Sequence, residues 1–154
     1  MKKNIKPWGN VLSKTVYFKD KNQKGTLTFG NNNSYGDASI PFGNISLNIE
    51  KELTENGFYR HSMLIEEYMS SKKTILYGVP GNSNVTLGGA IASDVHGKDC
   101  NWGGSFIKNI KTIKLLTAGN DYIFCSREKN AEIFYTTVGG YGLTGSIVGV
   151  ELFE

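Results

Sequence analysis

Three stretches of the chain, residues 30–37, 79–98 and 139–145, set glycines among β-branched and aromatic residues. A flexible linker concentrates glycine beside serine and proline, so these glycines mark positions that need a left-handed turn or a backbone without a side chain. The adjacent pair Gly88-Gly89 is the sharpest case. It falls in residues 85–94, which read as a short helix with Asn82 or Asn84 as its N-cap. Each glycine inside a helix costs about 1 kcal/mol relative to alanine, so something must approach that backbone closely. With 19 glycines and 3 prolines in 154 residues, 39% hydrophobic and 20% charged, the composition is otherwise that of one globular domain, which excludes collagen-like and disordered chains.

The elements around the loops read as α+β, with strands and short helices mixed irregularly. Residues 15–18 and 26–29 are β-branched or aromatic runs flanking a polar turn, which predicts a hairpin or paired strands. Ile45, Leu47 and Ile49 alternate with polar residues as a brief strand does, and residues 61–71 carry apolar side chains near helical spacing, followed by Lys72 and Lys73. Residues 74–77 read as a short strand. Residues 110–117 and 122–125 read as a hairpin with one wet face, 131–138 as a helix, and 145–153 as a closing strand. Trp8, Tyr122 and Phe134 are expected in the core.

Several function classes fall away. A net charge of +3 with scattered lysines is too weak for a nucleic-acid surface and suits a diphosphate-bearing small ligand better. No apolar run approaches the ~18 residues of a membrane span. The basic start lacks a signal-like apolar stretch, so the cytoplasm is the expected location. Cys100 and Cys125 have no CxxC spacing, and with two histidines in the chain they assemble neither a disulfide framework nor a metal site. The P-loop pattern is absent. Residues 140–145 contain the GxGxxG spacing but open onto a strand, whereas the dinucleotide fingerprint needs a helix there. Glycine turns and helix starts can still hold a pyrophosphate through backbone N–H groups, without a lysine.

Four ordered motifs carry a resemblance: Ser34-Tyr35-Gly36-Asp37; Val79-Pro80-Gly81 followed by residues 86–98; Gly104-Ser105-Phe106; and residues 138–145. Together they resemble the FAD-binding domain of the vanillyl-alcohol-oxidase, or PCMH-type, flavoenzymes, nearest the decaprenylphosphoryl-ribose oxidase branch and further from the sugar-lactone and alditol oxidases. The resemblance covers most of residues 25–154. It implies a domain of two small α+β subdomains, about 1–80 and 81–154, with FAD between them. It implies that Ser34, Tyr35 and Gly36 lie against the pyrophosphate and that Gly81, Asn82, Thr86, Gly88, Gly89, Ser93, His96 and Gly97 run along the cofactor. Gly142, Gly145 and Ile147 would complete the pocket.

The departures from that pattern are also informative. Family members with covalent flavin have a histidine just before the first-loop serine; here that residue is Asn33, so FAD is expected to bind non-covalently. Many relatives have glycine and arginine where this chain has Asn32 and Asn33. His61, in Tyr59-Arg60-His61-Ser62, imitates the covalent motif but lacks its glycines. Little room is left between residues 49 and 61 for a strand pair usual in the family, and the chain ends before its substrate-binding or cap domain. A shortened FAD-binding domain is therefore expected, with a separate substrate-domain chain or a second copy as partner.

His96 and Lys98 are the candidate catalytic residues. An imidazole near flavin either takes a hydroxyl proton while hydride leaves the adjacent carbon, or merely braces its loop. Lys98 either meets an anionic substrate or is solvated. Asp37 and Asp94 read as loop braces, and Cys100 as a buried or half-buried thiol rather than a free one beside flavin. Two functions follow: the FAD-binding part of an oxidoreductase acting on a sugar-like substrate, or a truncated, non-catalytic flavin-binding module or interaction fragment that binds FAD weakly or not at all.

Overall fold

Long-range pairing, more than local pattern, sets the architecture of this protein. A computed structural model describes residues 2–5, 14–18, 27–28, 30–31, 33–34, 46–48 and 57–153. Trp8, Tyr35, Gly36 and Asp37 lie outside the described residues. Among those described, the first sheet contains β1 (Lys2–Ile5), β2 (Lys14–Phe18), β3 (Leu27–Thr28) and β4 (Ser46–Asn48), in the order β1-β2-β4-β3. β1 runs antiparallel to β2, and β4 runs parallel to both β2 and β3. The predicted hairpin of 15–18 with 26–29 is thus corrected: β4 lies between those strands, and two strands that both run parallel to a third are not hairpin partners.

The second sheet holds β5 (Tyr59–Arg60), β6 (Ile110–Leu116), β7 (Tyr122–Ser126) and β8 (Ser146–Leu152), ordered β5-β8-β6-β7 and antiparallel throughout. Its helices are α1 (Ile65–Lys72), α2 (Leu87–Ala92), α3 (Cys100–Gly103) and α4 (Ala131–Thr137), with a 3₁₀ turn at Phe106–Asn109. Ile65, Tyr68, Leu87, Ile91, Phe106 and Phe134 pack with Ile110, Ile113, Leu115 and Val150 in one core. Each such side chain stabilises the fold by about 1.5–3 kcal/mol on burial. No helix among the described residues is long and apolar enough to cross a membrane.

The β6–β7 hairpin forms as predicted, turning through Asn120 at φ 70°. Ile110 and Ile113 are both fully buried although three residues apart, which strict alternation forbids. The register of β6 against β8 shifts between Ile110 and Thr112, restoring both to the core face. A second shift between Lys114 and Leu115 leaves Val148 as the extra residue on β8. Tyr122, expected in the core, is instead 51% exposed at the hairpin end.

Residues 74–77 are not a strand. The Tyr77 backbone pairs with a side chain: its N–H donates to Asn109 Oδ1 (2.9 Å), and Asn109 Nδ2 donates to its carbonyl (2.8 Å). The buried Asn109 amide therefore takes the place of a neighbouring strand.

Candidate functional site

α2 is the element on which the glycine loops meet. Its N-cap is Thr86, whose hydroxyl accepts the Gly89 N–H at 3.0 Å, and neither Asn82 nor Asn84 fills that role. All four N–H groups of its first turn are satisfied within the protein. Leu87 donates to the Met63 carbonyl (2.8 Å), Gly88 to that of His61 (2.9 Å), Gly89 to Thr86 Oγ1 and Ala90 to the Thr86 carbonyl (2.8 Å). The helix start is thus occupied by the turn at residues 61–64, which also explains why α1 begins at Ile65 rather than at 61. An anion here must use other N–H groups than those of α2.

The same contacts account for the glycine pair. A Cβ on Gly88 would sit 3.0 Å from His61 Cβ and 3.2 Å from its carbonyl oxygen, and one on Gly89 would sit 3.0 Å from Thr86 Oγ1. The close approach comes from the chain itself. His61 is 2% exposed, and neither ring nitrogen has a hydrogen-bond partner. Burial pushes its pKa below 6.5; the nearby Val148 backbone opposes this in part, though too loosely placed to complete a hydrogen bond. Sealed behind Gly88, His61 is in no position to mimic a flavin-linking histidine.

The first glycine loop lies against the start of α2. A Cβ on Gly30 would meet Thr86 Oγ1 at 2.7 Å. Asn31 and Asn33 both donate to the Asn84 carbonyl, at 2.9 and 2.8 Å, and Asn82 donates to Asn33 Oδ1 at 3.1 Å. Half-buried Ser34 follows directly. Gly81 is different from the other glycines here: it is exposed, nothing lies within 4 Å of its missing Cβ, and its φ is not positive. Among the described residues its N–H meets no protein acceptor. Among the described residues, no packing contact or positive φ requires glycine at this position.

The late glycine loop docks on the other end of α2. Gly139 (φ 75°) donates to the Ile91 carbonyl at 2.9 Å, which the Asp94 N–H also reaches at 3.0 Å, and Tyr141 donates to that of Ala92 at 2.8 Å, so the loop helps cap the helix end. Gly142 has φ 77°, and a Cβ on Gly145 would lie 2.6 Å from the Leu116 carbonyl. Ile147 is a core residue of β8, 4% exposed.

Between these ends, residues 93–105 wrap the helix exit. Ser93, His96 and Lys98 are exposed, and His96 bridges to Ser105. Asp94 (φ 40°) braces this loop, accepting from Ser105 Oγ (2.8 Å) and the Ile107 N–H (3.1 Å). Gly97 packs on the Val79 carbonyl and on Asp99, whose carboxylate also accepts the Gly78 N–H at 3.0 Å. Asp99 ties the 78–81 loop to the His96 loop, a role that the sequence did not signal. Cys100 is exposed, contrary to expectation, while Cys125 is buried and its thiol pushed up to about 11 by desolvation.

The structure therefore gathers Ser34, Gly81, Asn82, Thr86 and Gly89 at one end of α2 and Ser93 and the 139–142 turn at its other end. Gly88 and Ile147 face the interior. The chain is 41% identical over 71 residues to decaprenylphosphoryl-beta-D-ribose oxidase of Mycolicibacterium smegmatis, a match covering 46% of this chain and 15% of that protein. It is 31% identical over 86 residues to cytokinin dehydrogenase 2 of Arabidopsis thaliana, covering 53% of this chain and 17% of that one. No family model matches the chain. These modest similarities over short stretches support kinship with the FAD-linked oxidases.

Proposed function

We propose that this chain is the FAD-binding part, of PCMH type, of an oxidoreductase that acts on a sugar-like substrate. The observation that carries the reading is Gly81, an exposed glycine that, among the described residues, has open space beside it and an N–H without a protein acceptor, next to the Asn82 that bonds to the first loop. Such a position admits the close approach of a diphosphate that any side chain would block. The kinship with FAD-linked oxidases supports FAD as that ligand.

Ser34, Gly81 and Asn82 would hold the diphosphate, and the turn at 139–142 would border the rest of the cofactor. The chemistry FAD supplies when bound is acceptance of a hydride from a hydroxyl-bearing carbon. Exposed His96 would take the hydroxyl proton as the carbonyl forms, and Lys98 would meet an anionic substituent of the substrate. Binding is non-covalent on this reading, because Asn33 stands where a flavin-linked histidine would. The chain spans 15% and 17% of the two relatives' lengths, so the substrate pocket would draw on a further segment or a second chain in the cytoplasm.

Gly81→Val tests this directly. With nothing among the described residues within 4 Å of the new Cβ, its melting temperature should stay within about 2 °C of the parent, as for most surface substitutions in a domain of this size. FAD uptake, followed by flavin absorbance, should be lost. A folded parent protein that stays colourless in excess FAD sinks the proposal.

A further inference from the structure

The loop at residues 30–34 and the Gly81 loop are joined by asparagine amides across 49 to 53 residues of sequence. Asn33 is the member that works in both directions: its Nδ2 donates to the Asn84 carbonyl and its Oδ1 accepts from Asn82. Asn31 donates to the same Asn84 carbonyl, whose two lone pairs accommodate both amides. Asn82 Oδ1 accepts the Asn84 N–H at 3.0 Å and fixes the turn on its own side. These bonds lie at exposed positions, where water competes for every donor. Core stability therefore gives no reason for so many amides to converge on one carbonyl.

What the network does is tie the segment that carries Ser34, next to Asn33, to the segment that carries Gly81, next to Asn82. We propose that Asn33 is a positioning residue for a diphosphate-bearing ligand, clasping the two loops into one preformed site. This rests on the FAD-binding reading above. A ligand held by both loops gains affinity when they are ordered in advance, because the ordering cost is not charged to binding. Neutral amides do this without the repulsion that a carboxylate would bring to phosphate.

The test uses the 154-residue chain, with FAD affinity read by quenching of flavin fluorescence and ADP affinity by displacement of FAD. In Asn33→Ala both affinities should fall together by about tenfold, the scale set by losing one or two modest hydrogen bonds. In Asn33→Asp they should fall at least as far, because the carboxylate keeps the acceptor for Asn82, loses the donor to Asn84 and adds charge. The unliganded melting temperature should move by less than about 2 °C in Asn33→Asp, which keeps the test valid if Asn33→Ala fails to fold. Unchanged FAD affinity in Asn33→Asp, or loss of FAD affinity with ADP affinity intact, overturns the clasp and leaves the cofactor reading standing. Failure of ADP to displace FAD from the parent also overturns the clasp. A parent protein that binds no FAD overturns both.

Discussion

His61 is held in place by its backbone, while its ring goes without partners. The carbonyl serves α2 by accepting the Gly88 N–H, and that forces the imidazole into a buried position where neither nitrogen is hydrogen-bonded. An unsatisfied buried polar group costs about 1–3 kcal/mol, and protonating it there costs more. Because the folded-state pKa lies below the unfolded value of 6.5, the unfolded chain binds the extra proton more readily. Stability should therefore be full above about pH 6.5 and fall as the pH drops below it, by at most about 1.4 kcal/mol per unit for one proton. His61→Leu should flatten that limb and stabilise the protein at pH 7, as measured by urea unfolding at pH 5 and 7. A variant that keeps the parent's pH slope would assign it to other groups. Glu151 acts in a separate, lower window. Hydrogen bonds from Lys111, at 2.8 Å, and then Thr112 hold its carboxyl below 4.5, so its contribution is lost only as the pH falls past that value.

At the scale of elements, α2 shows what local sequence can and cannot announce. Its existence was legible from residues 85–94, and the glycine pair correctly signalled a close approach. The approaching groups were not legible, because His61 lies 27 residues before Gly88 in the chain. The expected cap differs for a similar reason: the Asn82 side chain is committed to the Asn84 N–H and to Asn33, and Asn84 enters the same network through its backbone N–H and carbonyl, which leaves the cap to Thr86. The hairpin of β6 and β7 and the helix α4 were readable because their pattern and turns are local. The first sheet was not, since β4 pairs with strands on both sides through parallel, long-range contacts. Gly88→Ala separates the two effects acting on α2. Helix propensity alone favours alanine by about 1 kcal/mol, whereas a Cβ 3.0 Å from His61 Cβ overpacks a buried contact, at a typical cost of about 1–3 kcal/mol. The neighbouring atoms are backbone and Cβ, which cannot swing aside, so packing should win and urea unfolding should show a net loss. A stabilised variant would mean that the 61–64 turn yields.

For the whole molecule, the glycine loops make one prediction that no single residue makes. Gly30, Asn31 and Asn33 meet the start of α2 through Thr86 and the Asn84 carbonyl, while Gly139 and Tyr141 meet its end at the carbonyls of Ile91 and Ala92. The 78–81 loop is tied to the His96 loop through Asp99. A small ligand bound to one loop alone would protect only that loop. A dinucleotide cofactor lying along α2 would order all of them, and binding to the native state alone raises stability by about 2.7 kcal/mol at a hundredfold excess over Kd. Hydrogen exchange with and without FAD should therefore show added protection at residues 30–34, 81–86 and 139–142 together. The hairpin turn at 117–121, which among the described residues shares no hydrogen bond with these loops, should be protected no further than global stabilisation requires. Protection confined to one loop would contradict a cofactor spanning the helix. Protection at both ends of α2 would also give a reason for glycines that packing among the described residues explains at Gly88 and Gly145 but not at Gly81.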